Sequence, residues 1–538
     1  METFKAPTRT PTCGGEYEFF AGRPIGSDAR RLGYDAFSRA GRGAGAADLR
    51  MQDEAVGPDE NARRHSCRRQ GFLAGDERLP GARRRQFLCE GSASWRLNRV
   101  ILLYAWDGSS SLWVDMKRKF LDALECALAA GTIALAFKLD DPLMATARGE
   151  LRWAIYGLAA GMTLWAWRRR RLVFGLPWGA LLLGLAFAQF HAERKRQALL
   201  AAPAETLRQF GRHFIVGYRD SGEVERLVTL GHIGGIFVTT HNARAADLAG
   251  EIAHLQALRR QSGEAALIVA ADQEGGAVSR LSPPLPAPPA LSALAALPGE
   301  ARRAAAKRQG AEMGRELARL GVTVDFAPVV DLASARPASS LDLHSRIAQR
   351  AISADPQIVS ETALGFVEGM ETAGVRATLK HFPGLGRVAA DTHFVRAEID
   401  AARQDLEASD FAPFRKLLAQ SHALLMAGHV VARGYDPDWP ASQSKILIEG
   451  LVRRQWGFDG AIVTDDLAMG AVSRYDLCRG VVASLGAGVD LLLVSFDGAQ
   501  FYDLMDCLMQ ANARGELDAQ ALARSAHRLD ALLGAAER

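Results

Sequence analysis

The stretch TLKHFPGLGRVAADTH, at residues 378–393, has the highest density of side chains able to do chemistry. It continues an apolar run, Val375–Leu379, and then turns polar. Its ionisable candidates are Lys380, His381, Asp391 and His393. A histidine near neutral pH can give and take a proton, and a neighbouring carboxylate orients its ring and raises its basicity. A polar loop leaving an apolar strand is where a barrel enzyme carries its catalytic groups, so the stretch predicts an enzyme.

Polar residues follow other apolar runs of the C-terminal region in the same way. They are Asp272, Asp325, Asp331, His429, Asp465 and Asp466. A single Asp after a strand is often only a helix cap. Five of the eight runs end on such residues, however, which capping alone does not explain. The pattern predicts a cluster of polar groups at the carboxyl ends of the strands.

The elements that must position these groups are the eight short apolar runs after residue 205, which alternate with helical patterns. The runs are Phe214–Gly217, Gly235–Thr239, Ala266–Ala271, Val322–Phe326, Val375–Leu379, Ala423–Ala427, Ala461–Thr464 and Val489–Val494. The clearest helical patterns are Ala301–Leu320, Pro356–Ala373 and Asp405–Leu418. This alternation predicts an α/β fold, a (β/α)8 TIM-type barrel over residues 201–538. A doubly wound open sheet would favour a Gly-rich phosphate turn after its first strand, and IVGYRDSG at 215–222 is not one.

Residues 116–200 hold apolar segments that predict two or three transmembrane helices within 120–190. Leu172–Phe190 is 19 residues without a charge, and Leu151–Trp167 is almost as apolar. Phe120–Leu139 is weaker, because three charges shorten its uncharged run. Buried core helices are the alternative interpretation. Against it, the basic block Arg168–Arg171 between two apolar runs is typical of a cytoplasmic loop.

Counting from that block places the catalytic domain on the outer face of a bacterial inner membrane, in the periplasm. The cluster Arg194–Arg196 after the last apolar run favours the opposite side, so the cytoplasmic face remains the alternative.

Residues 1–115 are rich in Arg, Gly, Asp and Ser and show weak apolar periodicity. The composition predicts a basic tail of low order. Because Met116-Lys117-Arg118-Lys119 resembles a natural bacterial N-terminus, a mis-assigned start is a second hypothesis. A net charge of +4 on 538 residues says nothing about nucleic acid by itself, but no motif or aromatic interleaving supports a nucleic-acid arm, so no nucleic-acid partner is expected.

Several chemistries are excluded by the motifs. The six cysteines are scattered without metal-ligand spacing, so neither a metal site nor a disulfide framework is expected, and Cys478 and Cys507 are predicted to be core residues. There is no P-loop and no GxSxG elbow, so no cofactor is expected. Carboxylates, His, Lys and Arg around a pocket suit a polyhydroxylated substrate. Glycoside hydrolysis needs one nucleophile or base and one proton donor.

Four motifs together resemble glycoside hydrolase family 3, in its bacterial β-N-acetylglucosaminidase (β-hexosaminidase) branch. They are DQEGG at 272–276, FAPVVD at 326–331, KHFPG at 380–384 with DTH at 391–393, and TDDLAM at 464–469. The resemblance covers roughly residues 205–538. It implies that Asp465 is the nucleophile and that His393, paired with Asp391, is the proton shuttle.

The resemblance also implies sugar-binding roles for Asp272, Arg280, Arg350, Lys380 and His381. The chain departs from the family pattern at Leu385, where the family usually has His. Before Arg350, the family's Gly-containing turn is replaced by the residues at 347–349, Ile-Ala-Gln.

Three functions remain open on the sequence. The first is a retaining glycoside hydrolase that removes terminal β-linked N-acetylglucosamine from glycans, with peptidoglycan fragments as candidate substrates. The second is a phosphorylase, or a β-glucosidase, on the same scaffold. The third is a catalytically weak sugar-binding membrane protein, for which Leu385 is the main support.

Overall fold

The computed structural model describes residues 111–139, 144, 147–244, 247–334, 345–388, 391–392, 396–470, 476–496, 498 and 500–536. The predicted basic tail, apart from its last five residues, lies outside the described residues. So does His393.

Eight parallel strands form the centre of the molecule. They are β1 (Phe214–Gly217), β2 (Gly235–Phe237), β3 (Ile268–Ala271), β6 (Val324–Asp325), β7 (Arg376–Phe382), β9 (Leu424–Ala427), β11 (Ile462–Thr464) and β12 (Leu492–Val494). Their order is β11-β9-β7-β6-β3-β2-β1-β12, and a parallel bridge between Val463 and Leu491 joins the two ends. The eight apolar runs are thus the eight strands of a barrel, and the predicted fold class is confirmed.

Four further strands form two small pairs outside the barrel. β4 (Gln273–Gly275) and β5 (Val278–Ser279) make a hairpin directly after β3. β8 (Ala397–Ile399) pairs with β10 (Val430–Ala432). The hairpin matters for the site, because it lies at the carboxyl end of the barrel.

The strands are apolar on both faces because each lies between two buried layers. In β3, Ile268 and Ala270 face the barrel interior, whereas Val269 and Ala271 pack against the surrounding helices. Parallel strands covered on both sides are therefore continuous apolar runs rather than alternating ones, which is why the sequence marks them so clearly.

Helices surround the barrel. They are α4 (Ala204–Gly211), α5 (Ser221–Thr229), α6 (Thr240–Ala243), α7 (Leu248–Gln261), α8 (Gly299–Leu320), α9 (Ile347–Arg350), α10 (Pro356–Thr372), α11 (Arg403–Ala408), α12 (Phe411–Leu418), a π-helix (Ile446–Gln455), α13 (Leu477–Ala487), α14 (Phe501–Ala513) and α15 (Ala519–Ala536). Short 3-10 turns lie at Leu291–Leu294 and Ala441–Gln443. The segment Asp405–Leu418, predicted as one helix, is two. The break falls at Asp410, whose buried carboxylate accepts hydrogen bonds from Arg387 and Ser409.

The amino-terminal end of the barrel is closed by α15 and a buried ion network. Leu529 of α15 packs into the barrel interior. Asp490 is fully buried and accepts from Arg453 at 2.6 Å, Arg528 at 2.9 Å and the Ile462 N–H at 2.8 Å. Because Arg528 belongs to α15, this network fixes the C-terminal helix to the barrel.

Three helices precede the barrel: α1 (Ser111–Phe137), α2 (Arg148–Arg168) and α3 (Leu172–Leu200). Among the described residues, two helices are long and apolar enough to cross a membrane, Trp113–Phe137 and Leu172–Leu200. Helix α2, which the sequence ranks above residues 120–139, is not one of them. Helix α2 nevertheless packs antiparallel to α3. Two contacts show this: a Cβ on Gly175 would lie 3.1 Å from Ala166 at one end, and the Tyr156 hydroxyl bonds to Gln189 at the other.

Of the two cysteines predicted to be core residues, Cys507 is buried but Cys478 is exposed, so that prediction was wrong for Cys478. Cys478 of α13 and Cys507 of α14 form a disulfide, with Cα atoms 5.1 Å apart and a sequence separation of 29. The two helices pack side by side, so the fold brings together thiols whose sequence spacing carries no signal. The expectation of no disulfide was therefore wrong for this pair.

Candidate active site

A pocket of about 250 Å³ lies at the carboxyl ends of the strands. Residues implied by the sequence line it: Asp272, Arg280, Arg350, Lys380, His381 and Asp465. A second cavity of about 500 Å³ lies at the opposite end of the barrel, between α4 and α15, and includes none of them. The first pocket is the candidate site, because barrel enzymes place their chemistry at the carboxyl ends of the strands.

One wall of the pocket is a chain of buried charges. The Lys380 ammonium lies 2.6 Å from Asp272 and 2.5 Å from Glu274. Arg350 donates two hydrogen bonds to Glu274, at 2.9 and 2.6 Å. Glu274 lies on the β4 strand of the hairpin, which carries its carboxylate back over the end of the barrel. Two cations and two carboxylates therefore alternate, so each charge is paired despite its burial.

The charged groups of this wall shift one another's pKa values. Burial favours the neutral acid, but Lys380, Arg280 and Arg350 outweigh it and hold the pKa of Asp272 well below its usual range. Burial alone would lower the pKa of Lys380, yet Asp272 and Glu274 raise it. Both groups are therefore ionised at neutral pH, and they present a fixed anion and a fixed cation to a substrate hydroxyl.

Asp331 holds the loop that follows β7. Its carboxylate accepts from the His381 N–H at 3.1 Å, the Leu385 N–H at 2.9 Å and His381 Nδ1 at 2.8 Å. This leaves His381 Nε2 near Arg350, 3.3 Å from its Nη2. The contact of position 385 with Asp331 is made by the backbone N–H and does not depend on the side chain. The leucine side chain, which is 6% exposed, lines the pocket.

The two aspartates after β11 have different environments. Asp466 is buried, and its carboxylate accepts from the Ser495 hydroxyl, from the Ser495 N–H at 3.0 Å and from the Ala468 N–H at 3.0 Å. Asp465 is only partly buried and lines the pocket. Its Oδ1 accepts from the Asp466 N–H at 2.9 Å. Both aspartates line the pocket, but Asp465 is the more exposed of the two, whereas Asp466 is buried and braces two loops.

His429, which sequence reasoning left undecided, is a packed residue. Its Nδ1 lies 2.8 Å from the Ser442 hydroxyl, and its Nε2 lies 3.1 Å from the Asp466 carbonyl oxygen. It supports the backbone beneath Asp466.

Of the remaining predicted residues, Arg280 lines the pocket, whereas Asp391 does not. Arg280 is half-exposed, and its Nε is 3.6 Å from Asp272. Asp391 is buried, and Thr392 lines the pocket. The predicted proton shuttle, His393, directly follows them but is not among the described residues.

Sequence reasoning missed three supporting carboxylates. Glu274 and Asp331 stand in the DQEGG and FAPVVD motifs but were given no role, and Asp325 was noted only as a polar residue near a strand end. Asp325 is fully buried and accepts from the Gln273 N–H at 2.9 Å. Burial, with the nearby Asp272 charge, raises the pKa of Asp325 well above its usual value. The position of each residue in a motif or near a strand end was visible in the sequence, but its hydrogen-bond partner was not.

Taken together, the pocket can grip a polyhydroxylated ring and present one carboxylate to it. Paired charges on the β3 and β7 side offer both donors and acceptors to hydroxyl groups. Asp465 lies across from them, where a carboxylate can act as nucleophile or base.

Comparison with known proteins agrees with this chemistry. The model of the glycosyl hydrolase family 3 N-terminal domain matches residues 200–532. A beta-hexosaminidase of Idiomarina loihiensis is 33% identical over 302 residues, covering 55% of this chain and 87% of that protein. Beta-hexosaminidase LpqI of Mycobacterium tuberculosis is 33% identical over 352 residues, covering 62% and 84%.

Solved structures agree as well. A family 3 beta-N-acetylglucosaminidase from a Paenibacillus species superposes with a TM-score of 0.56 at 31% identity, covering 61% of this chain and 62% of that one. The structure of M. tuberculosis LpqI gives a TM-score of 0.54 at 32% identity, covering 61% and 93%. The chain is a glycosidase and belongs to glycosyl hydrolase family 3, within its bacterial beta-hexosaminidase branch.

Proposed function

We propose that this protein removes terminal β-linked N-acetylglucosamine from glycans with retention of configuration. The observation that carries the proposal is the pocket itself, in which Asp465 faces the paired charges of Asp272 and Lys380. A pocket of about 250 Å³ is large enough to hold a sugar ring. The names of the similar proteins support the acetamido sugar.

In the proposed reaction the Asp465 carboxylate attacks the anomeric carbon, and the bond to the glycosidic oxygen breaks. His393 donates its proton to that oxygen as the aglycone leaves. The same imidazole then takes a proton from water, which attacks the anomeric carbon and releases Asp465. Asp391 orients the His393 ring. The sugar hydroxyls bind to Asp272, Arg280, Arg350, Lys380 and His381.

We further propose that the barrel stands on the outer face of the inner membrane, anchored by α1–α3. The large apolar side chains of these helices are exposed in the protein, for example Phe137, Val173 and Phe187, and such a surface needs lipid. The block Arg168–Arg171 lies at the end of α3 that is away from the barrel. A basic loop at that end is expected on the cytoplasmic side of the membrane.

Two further features support the periplasmic side. The cluster that favours the opposite orientation is engaged by the barrel, because Lys195 bonds to Asp503 and Arg196 approaches Glu223. The disulfide between Cys478 and Cys507 is typical of an oxidising compartment. In that compartment, peptidoglycan fragments are the GlcNAc-bearing substrates we expect.

Hydrolysis of an aryl β-N-acetylglucosaminide by the full chain, beside the matching β-glucoside and with and without phosphate, tests the activity. Release from the acetamido sugar alone, independent of phosphate, is the expected result. Phosphate-dependent release of a sugar phosphate would identify a phosphorylase instead. Binding without turnover would identify a sugar-binding protein. Protease digestion of intact spheroplasts tests location, because only a periplasmic barrel is cleaved.

A further inference from the structure

Helix α3 continues beyond its apolar part and docks on the barrel. After Phe190 the helix remains unbroken to Leu200. Lys195 bonds to two carboxylates of α14, Asp503 at 2.7 Å and Asp506 at 3.0 Å. One turn further, Leu199 is 6% exposed and belongs to the main core of the barrel. The contact is therefore a built interface and not a flexible linker.

Arg196 extends the docking to a second barrel helix. Its guanidinium lies 5.4 Å from the centroid of the Tyr502 ring and 3.6 Å from Glu223 of α5. The Tyr502 hydroxyl in turn donates to Glu223 at 2.8 Å. Helix α3 thus ties together the first turns of α5 and α14. A single exposed ion pair contributes little to stability, but here several contacts act on the same two helix ends.

Those helix ends follow directly from loops that form one wall of the active-site pocket. The loop from β1 to α5 carries Arg219, and the loop from β12 to α14 carries Ser495 and Phe496. All three residues line the pocket. The docking surface of α3 and the pocket wall are therefore two sides of the same pair of loops.

Ser495 and Phe496, which begin the β12–α14 loop, are tightly held and are linked through Asp466 to the proposed nucleophile. Phe496 has a φ of 64°, in the left-handed region that non-glycine residues rarely adopt. Its backbone packs so closely on Gly217 that a Cβ there would lie 2.9 Å from the Phe496 nitrogen. Ser495 binds the carboxylate of Asp466, whose N–H donates to Asp465. A shift of this loop would move both the wall and the hydrogen bond to Asp465.

We propose that Lys195 and Arg196 are positioning residues of the active site. By docking α3, they hold the β1–α5 and β12–α14 loops in the arrangement that binds the terminal sugar. The membrane anchor is then part of the enzyme's binding site rather than only a tether. This inference rests on the proposed function, because it assigns the residues a role in binding that substrate.

The test compares variants of the full chain in detergent micelles. In Lys195→Ala/Arg196→Ala, we expect the KM for the aryl β-N-acetylglucosaminide to rise roughly three- to tenfold, with a smaller change in kcat. Asp503→Asn/Asp506→Asn, made from the barrel side, is expected to raise KM in the same way. Lys195→Arg keeps the charge and is expected to retain the wild-type KM. Arg194→Ala is the matched control, because Arg194 packs against Phe190 of its own helix.

Binding of N-acetylglucosamine, measured by calorimetry, separates this inference from the proposed activity. If the wild-type chain binds the sugar without hydrolysing it, the proposed hydrolysis fails, and a weaker Kd in the two double variants still supports positioning. An unchanged KM and Kd in both double variants would overturn the inference. So would a fall in Tm without any change in KM, since that result indicates a purely structural contact.

Discussion

At the scale of single residues, the neighbouring aspartates Asp465 and Asp466 are predicted to have separable roles. Asp466 already binds Ser495 and Ala468, and burial raises the pKa of Asp466. Asp465 faces the pocket. We expect Asp465→Asn to lower kcat on the aryl substrate at least about a thousandfold, because the nucleophile is lost. Sugar binding and Tm should change little. A fully active Asp465→Asn would contradict the nucleophile assignment.

The proton shuttle makes a different prediction, based on the leaving group. An activated aryl group needs little protonation to depart, whereas a sugar leaving group needs much. We therefore expect His393→Ala to retain slow turnover of the aryl substrate and to lose hydrolysis of a disaccharide almost completely. The ratio of the two kcat/KM values is the measurement. An equal loss on both substrates would argue against His393 as the acid.

Glu274 is expected to hold the charged wall in place. It pairs with both Arg350 and Lys380 and is 6% exposed. Removing one member of a buried ion pair costs about 3–5 kcal/mol, because the partner remains buried and unpaired. Glu274→Gln should therefore lower the free energy of unfolding by about that amount and raise KM. Glu398→Gln, at an exposed pair with Arg433, is the control and should leave both unchanged.

At the scale of elements, the disulfide gives a direct test. It closes a loop with a sequence separation of 29 between α13 and α14. Constraint of the unfolded chain by a loop of that length is worth about 3–4 kcal/mol. Cys478→Ser should lower the denaturation midpoint accordingly, and a reductant should do the same to the wild-type protein. Cys126→Ser, at a free and exposed thiol, should have no effect. A reductant-insensitive midpoint would show that the bond does not form.

The sequence identified elements where local pattern and burial agree. All eight barrel strands were predictable, since each is a buried apolar run between helical patterns. The hairpin of Gln273–Gly275 with Val278–Ser279 was not, because its strands are short and polar and are fixed by contacts with the barrel end. The break at Asp410 was also missed, because Arg387, its partner, lies more than 20 residues away in the chain.

In the candidate site, too, the residues marked by local motifs were predictable, and their distant partners were not. Motifs pointed to Asp272, Lys380 and Asp465 as members of one pocket, and the structure brings them together. The pairings Arg350–Glu274 and His381–Asp331 join segments that follow different strands, with sequence separations of 76 and 50. Local sequence patterns do not encode contacts at such separations, so these partners could be identified only from the folded structure.

At the scale of the whole molecule, buried groups with raised and with lowered pKa values respond to pH in opposite senses, and the paired Asp272 of the catalytic end belongs to the second kind. At the catalytic end, burial raises the pKa of Asp325 and of Asp466, so the folded state binds protons there more readily than the unfolded chain. Falling pH therefore favours the folded state at these groups. At the amino-terminal end, two buried histidines, His213 and His232, have the reverse effect.

Burial lowers the pKa of His213 from 6.5 to about 4, and likewise that of His232. Between those values the unfolded chain binds more protons, so stability is full above pH 6.5 and falls as the pH drops towards 4. For His213, which is fully buried beside the Asp490 carbonyl oxygen, the loss approaches about 3 kcal/mol. We expect the denaturant midpoint of the wild-type protein to decrease as the pH is lowered from 7 to 4.5. His213→Asn should have a lower midpoint than the wild type at pH 7, and its midpoint should change less with pH. His422→Asn, at an exposed histidine, should keep the wild-type slope. If His213→Asn keeps that slope too, the acid sensitivity of the fold originates elsewhere than at His213.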